Sequence, residues 1–174
     1  METRPGTAYP LGATFDGTGT NFAIYSSVAT AVTLCLLDDD LNEMRIPMTE
    51  VDAYVWHVYV PQVRAGQRYG YRIDGPWDPM NGLRCDPSKL LLDPYAKAIE
   101  GQLKDSLSLL SYCSDDPLVL KGGDSAAATM HSIVVNPFFD WQGDHSPGHD
   151  YSESIIYEAH IKGMTMRHPD VPEE

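Results

Sequence analysis

Along the first half of the chain apolar and polar positions alternate with a period of two, the spacing of strands that bury one face. Ala31 to Leu37 sets Val32, Leu34 and Leu36 on one side and stops at Asp38-Asp39-Asp40, whose carboxylates favour a turn. Met44, Ile46 and Met48 alternate against Arg45 and Pro47, and that proline places the run at a sheet edge. Tyr54, Trp56, Val58 and Val60 make the strongest apolar face, and Arg68 to Asp74 sets Tyr69, Tyr71 and Ile73 against Arg68, Arg72 and Asp74. With Asn21 to Ser26, which follows the turn Asp16-Gly17-Thr18-Gly19, these are five short strands bounded by turn residues. The spacing predicts a mainly β fold, an antiparallel β-sandwich of immunoglobulin type that closes near Gly75-Pro76, although it has no antibody-like Cys-Trp-Cys pattern.

Beyond that point the alternation is lost. Asp86 to Gly101 is apolar and holds helix formers, but Pro87 and Pro94 limit any helix to about two turns on either side, so the segment reads as a packed connector. Lys104 to Met130 is the least patterned stretch, and Gly122-Gly123-Asp124-Ser125 reads as a mobile loop. Ser132 to Val135 is β-branched and strand-like; Asn136 to Asp150 is a Pro, Gly, Asp and His rich crossing. Ile155 to Lys162 has the aliphatic character of a strand buried on both faces. The expected organisation is therefore a sandwich over 8–100, a connector with a mobile loop over 101–153, and a separate final segment over 154–174.

Composition narrows the partners. Twelve Lys+Arg against 25 Asp+Glu give a net charge of -13 over 174 residues, a surface that repels phosphate backbones and anionic lipid and so argues against nucleic acid and membranes. No run approaches the ~18 apolar residues of a bilayer span, and Met1 to Pro10 lacks the basic and apolar blocks of a secretory signal, so a cytoplasmic location is expected. Cys35, Cys85 and Cys113 are odd in number and widely spaced, which suits reduced thiols better than a disulfide framework or a zinc knuckle.

Several clusters invite a chemical reading. Asp140, Asp144, His145, His149 and Asp150 crowd one loop, but Pro147 and Gly148 forbid the helical register that would make the histidine spacing useful, so no metal site is assigned. Gly17-Thr18-Gly19 precedes a strand and lacks the lysine and helix of a phosphate loop; it is a turn. Glu158 and His160 share one face of the expected final strand, but no second carboxylate is singled out to work across a glycosidic bond, and no catalytic residue is assigned. Ten tyrosines and three tryptophans supply rigid rings that can stack on the apolar faces of sugars, with Trp56, Tyr71 and Trp77 as the candidates. Core packing is the competing role for Trp56 and Tyr71, which sit amid alternating core positions.

Four segments in order, Tyr9–Ser26 (YPLGATFDGTGTNFAIYS), Gly66–Pro79 (GQRYGYRIDGPWDP), Lys89–Ile99 (KLLLDPYAKAI) and Ile155–Thr165 (IIYEAHIKGMT), resemble the amino-terminal part of bacterial glycogen debranching enzymes of the isoamylase type, in glycoside hydrolase family 13. The resemblance implies an immunoglobulin-like module of carbohydrate-binding type, followed by the first strand of a catalytic (β/α)8 barrel at Tyr157-Glu158-Ala159-His160. Barrel enzymes build their sites from several strands. The family's nucleophilic aspartate, acid/base glutamate and second aspartate belong to later ones, beyond residue 174. The chain is thus expected to be an inactive amino-terminal fragment of an enzyme that hydrolyses α-1,6 branch linkages in glycogen-type glucans without a cofactor. A stand-alone glucan-binding module and a nonfunctional truncation product are the alternatives.

Overall fold

The computed structural model describes residues 1–104 and 106–172. They divide into two units, Met1–Phe138 and Phe139–Glu174. The first unit contains β1 (Gly12–Phe15), β2 (Gly19–Tyr25), β3 (Ala31–Leu37), β4 (Glu43–Met48), β5 (Glu50–Asp52), β6 (Val55–Pro61), β7 (Arg68–Asp74), β8 (Trp77–Asp78), β9 (Leu83–Arg84), β10 (Ile99–Glu100) and β11 (His131–Ile133).

A four-stranded sheet runs β1-β2-β6-β5, a five-stranded sheet runs β10-β11-β7-β3-β4, and β8 pairs with β9. Every pairing is antiparallel. The period-two pattern explains why two sheets form: Phe22, Ile24, Val58 and Val60 from the first meet Val32, Leu34, Leu36, Tyr69, Tyr71 and Ile73 from the second in one core cluster. Each such side chain contributes roughly 1.5–3 kcal/mol through burial. Phe22 and Tyr71 both pack around Tyr69, edge to face at 5.1 and 5.9 Å. β4 is an edge strand, as Pro47 requires.

The second sheet does not close near Gly75-Pro76. β11 pairs with β7 through Ser132 and Tyr69, and β10 pairs with β11, so a strand from the expected connector belongs to the sandwich. Between β9 and β10, the segment over 86–98 takes no helical turns. It lies across the outer face of β3 and β7, where Leu90 joins Cys35 and Leu37 in a second apolar cluster. Gly70 makes this approach possible, since a Cβ there would stand 2.9 Å from the Leu91 carbonyl oxygen and 2.9 Å from Leu90. Tyr71 and Leu91 exchange backbone hydrogen bonds of 2.9 and 2.8 Å. The glycine loop is tied back to this segment: the buried Lys89 ammonium donates to the carbonyls of Ser108 (2.8 Å) and Gly123 (2.7 Å).

In the second unit the strand expected over Ile155–Lys162 does not form. Residues 154–160 have no regular structure, Ile155 and Ile156 are 96% and 90% exposed, and Ile161–Thr165 is a short helix, α1. A strand buried on both faces needs a ladder on each side, and among the described residues no strand pairs with this segment. The His160 ring instead accepts a hydrogen bond from the Gly163 N–H at 3.2 Å and caps α1. Glu158 and His160 are both exposed, and so is the loop of His145 and His149, where His145 Nδ1 lies 3.3 Å from the Gly143 carbonyl.

Candidate carbohydrate-binding surface

The three aromatic candidates are placed differently. Tyr71, on β7, is fully buried, with its ring edge-on to Tyr69, so it has no face to offer a ligand and its role is in the core. The alternation that marks a stacking residue is also the alternation of a core position, and here the core took the ring. Trp56 lies on the inward side of β6 opposite Ile24 and Val51; it is half-buried against the core cluster, so most of its indole is committed to packing.

Trp77 is the candidate that stands outside the core. It opens the β8–β9 hairpin, whose turn at Pro79–Asn81 ends on Gly82 in the left-handed region (φ 79°), with the Gly82 N–H donating to the Pro79 carbonyl. The indole Nε1 donates to the Leu118 carbonyl at 2.8 Å. Its polar edge is therefore satisfied by a carbonyl from outside the hairpin. Beside it, Arg84 stands over the Tyr112 ring at 5.9 Å. A fixed, half-exposed ring next to a cation and a second aromatic can stack on an apolar sugar face while hydroxyls find donors at its rim.

Two aromatics missed in the sequence project outward from the opposite sheet. Tyr25 ends β2 and Tyr54 occupies the β5–β6 turn; they are 52% and 61% exposed, with ring centroids 6.4 Å apart, edge to face. The turn has two residues, Ala53 and Tyr54, both with positive φ (48° and 68°). Such a hairpin favours Asn-Gly, and each residue with a Cβ in this region costs about 1 kcal/mol. The signal in the sequence was the absence of glycine or asparagine between two pairing strands.

At the other end of this sheet the turn before β2 is locked by Asp16, whose carboxylate accepts from the Thr18 N–H (2.8 Å), the Gly19 N–H (3.0 Å) and the Tyr59 hydroxyl. The Thr18 N–H leads this set, which outweighs the opposing effect of burial and draws the acid down to about 2. Gly17-Thr18-Gly19 is a turn, as expected.

Residues 10–96 match the model of carbohydrate-binding module 48 (isoamylase N-terminal domain). The chain belongs to this family. Trp56, Tyr71 and Trp77 all lie inside the matched region of the module. The chain is 55% identical, over 98% of its length, to a glycogen operon protein GlgX homolog of Mycobacterium tuberculosis, and 44% identical, over 99%, to a glycogen debranching enzyme of Serratia proteamaculans. It spans about a quarter of these relatives, 24% and 25%. Among solved structures, a pullulanase from Bacillus acidopullulyticus superposes on 81% of the chain with a TM-score of 0.50 at 20% identity, using 14% of its own length. The Group B Streptococcus pullulanase SAP superposes on 75% with a TM-score of 0.50 at 22% identity, using 15% of its length. These likenesses bear out the resemblance and the immunoglobulin-like sandwich.

Proposed function

We propose that the chain is the amino-terminal α-glucan-binding module of a glycogen debranching polypeptide of isoamylase type, acting in the cytoplasm, and that it binds without cleaving. The observation that carries this reading is the match of the module over 10–96 together with a sandwich that holds a half-exposed, edge-satisfied tryptophan on its β8–β9 hairpin. The relatives' names supply the polymer, glycogen, and their fourfold greater length leaves ample room for catalytic carboxylates in later sequence. In such an enzyme, glucan held on the module away from the cleaved bond would raise the effective concentration of branches at the barrel.

Affinity electrophoresis through gels with and without glycogen tests binding, and reducing-end assay on a branched glucan tests cleavage. Retarded migration with no sugar release is the expected pair of results. Unretarded migration overturns the binding role, and sugar release by the purified chain overturns its non-catalytic one. Trp77→Ala is expected to weaken retardation with the fold intact, since Trp77 lies outside the core cluster.

A further inference from the structure

The outer face of the four-stranded sheet carries a second grouping, away from Trp77. Tyr25 pairs with Val55 and Val55 with Asp52, so these three share one row across β2, β6 and β5, and Tyr54 leans its ring toward Tyr25 from the adjoining turn. The next row is Ala23, His57 and Glu50. His57 is buried, and neither ring nitrogen has a hydrogen-bond partner; the carboxylate facing its Nε2 at 3.4 Å is that of Asp52, which is itself 78% exposed. The row therefore presents the exposed Tyr25 ring, the Val55 side chain and the exposed Asp52 carboxylate, with the exposed Tyr54 ring beside Tyr25.

Rings beside a hydrogen-bond acceptor match a ligand with apolar faces and hydroxyl edges. The molecule's net charge of -13 and the neighbouring Glu50 disfavour an anion. Tyr54 also holds a left-handed backbone that glycine or asparagine would adopt more readily, so its ring is kept in this turn at a backbone cost. We propose that Tyr25, Tyr54 and Asp52 form a stacking subsite for a neutral α-glucan on the outer face of the four-stranded sheet, distinct from the Trp77 hairpin. This rests on the glucan-binding reading above. The subsite takes one sugar face against one ring, with the other ring standing at 75° to it as a side wall, and a hydroxyl pair on Asp52.

The test uses the whole 174-residue chain, isotope-labelled, titrated with maltoheptaose while amide shifts are followed, with glycogen affinity electrophoresis in parallel. Shifts at residues 25 and 52–57, and an affinity about tenfold weaker in Tyr25→Ala and in Tyr54→Gly, are expected from the loss of one aromatic stack. Tyr54→Gly should keep the wild-type melting midpoint or exceed it, because it relieves the turn, so its loss of binding cannot be unfolding. Trp77→Ala should lower affinity by its own factor and leave the shifts at 25 and 52–57 in place. If the wild type binds but Tyr25→Ala and Tyr54→Gly bind equally well, the subsite is wrong and the glucan-binding role stands. If the wild type shows neither shifts nor retardation, both fall. Loss of a concentration-dependent dimer in Tyr54→Gly, with glucan affinity unchanged, would make the rings a contact between copies and also overturn the subsite.

Discussion

Arg72, on the central strand of the five-stranded sheet, donates to Asp124 at 2.7 Å across 52 residues of sequence, and the same guanidinium grips Glu43 on β4. It also donates to the carbonyls of Pro87 (3.2 Å) and Ser88 (2.7 Å), so one buried cation ties two strands to the covering segment and to the loop of Asp124.

Removing that cation should therefore cost more than a surface pair would. Arg72→Ala leaves the Glu43 carboxylate with the largely exposed Arg45 as its remaining cation and strips the Pro87 and Ser88 carbonyls of their donor, and a loss of about 3 kcal/mol is expected in urea denaturation. The pH dependence has a definite sign. Burial alone would raise the acids, but hydrogen bonds from Arg72, joined by Arg45 at Glu43 and by the Ala126 N–H at Asp124, outweigh it and hold Glu43 below its ordinary 4.5 and Asp124 below its ordinary 3.8. Depressed acids give stability that is complete above those values and lost as pH falls through the folded ones. In Arg72→Ala this acid sensitivity should shrink; an unchanged acid profile would show that the cluster does not govern it.

The sandwich was legible because its strands obey the simplest rule available. Ala31–Leu37 and Arg68–Asp74 were read to the residue, since Val32, Leu34 and Leu36 and then Tyr69, Tyr71 and Ile73 alternate without a break. Shorter elements were not. Gly12–Phe15 and Glu50–Asp52 have too few residues to show a period, and Ile99–Glu100 joins a sheet only because a neighbouring edge is there to pair with; His131–Ile133 overlaps the strand read over Ser132–Val135, but its place beside Arg68–Asp74 has no local signal. The same limit applies to Arg72. Its polar position in the alternation suggests solvent, and nothing local shows that the chain returns to cover it with Asp124. Of the aromatic candidates, Trp77 could be picked out because it follows the Gly75-Pro76 break, whereas Tyr71 has the same local pattern whether it packs or projects.

The two buried tyrosines of β7 should respond oppositely to loss of their hydroxyls. Tyr69 donates to Asp93 at 2.8 Å, and the Asp93 carboxylate is otherwise fixed by the Tyr95 N–H at 2.7 Å; the buried Tyr71 hydroxyl has no hydrogen-bond partner. Tyr69→Phe is expected to cost about 1.5–3 kcal/mol, as for a bond to a charged acceptor, and Tyr71→Phe to lie within about 0.5 kcal/mol of wild type or to stabilise. Burial raises Asp93 despite these donors, so its contribution is greatest below the ordinary 3.8 and declines as pH rises through the folded value. Asp93→Asn should remove that decline. Equal losses in the two phenylalanine variants would contradict this assignment.

Gly70 gives a packing test independent of charge. Its position beneath Leu90 and the Leu91 carbonyl leaves no room for a methyl group, and the nearest backbone atom cannot rotate away. Gly70→Ala should destabilise by about 1–3 kcal/mol through overpacking. The effect should reach Cys35, which is buried beside Leu90 and whose thiol burial pushes up to about 12. In the wild type Cys35 should resist a thiol reagent at neutral pH; in Gly70→Ala its labelling should accelerate as the covering segment lifts. Destabilisation without faster labelling would mean that the strain is absorbed elsewhere.

Amide exchange separates the two units. The ladders of β2 with β6 and of β3 with β7 each run for seven residue pairs and enclose the fully buried Phe22, Leu34 and Tyr71, so their amides should exchange only through global opening. Ile155, Ile156 and Tyr157 are 96%, 90% and 80% exposed, and their backbone has no ladder partner among the described residues. Their amides should exchange near the rate of an unstructured peptide, with slight slowing only at amides that have a local acceptor, such as Gly163, which donates to the His160 ring, and Met164 and Met166, which donate to the carbonyls of His160 and Lys162. The aliphatic run over 155–161 has the composition of an inner strand, and composition of that kind needs neighbours before it gives protection. Protection at Ile155 and Ile156 equal to that of β2 in a monomeric sample would mean that this segment finds a partner strand in solution.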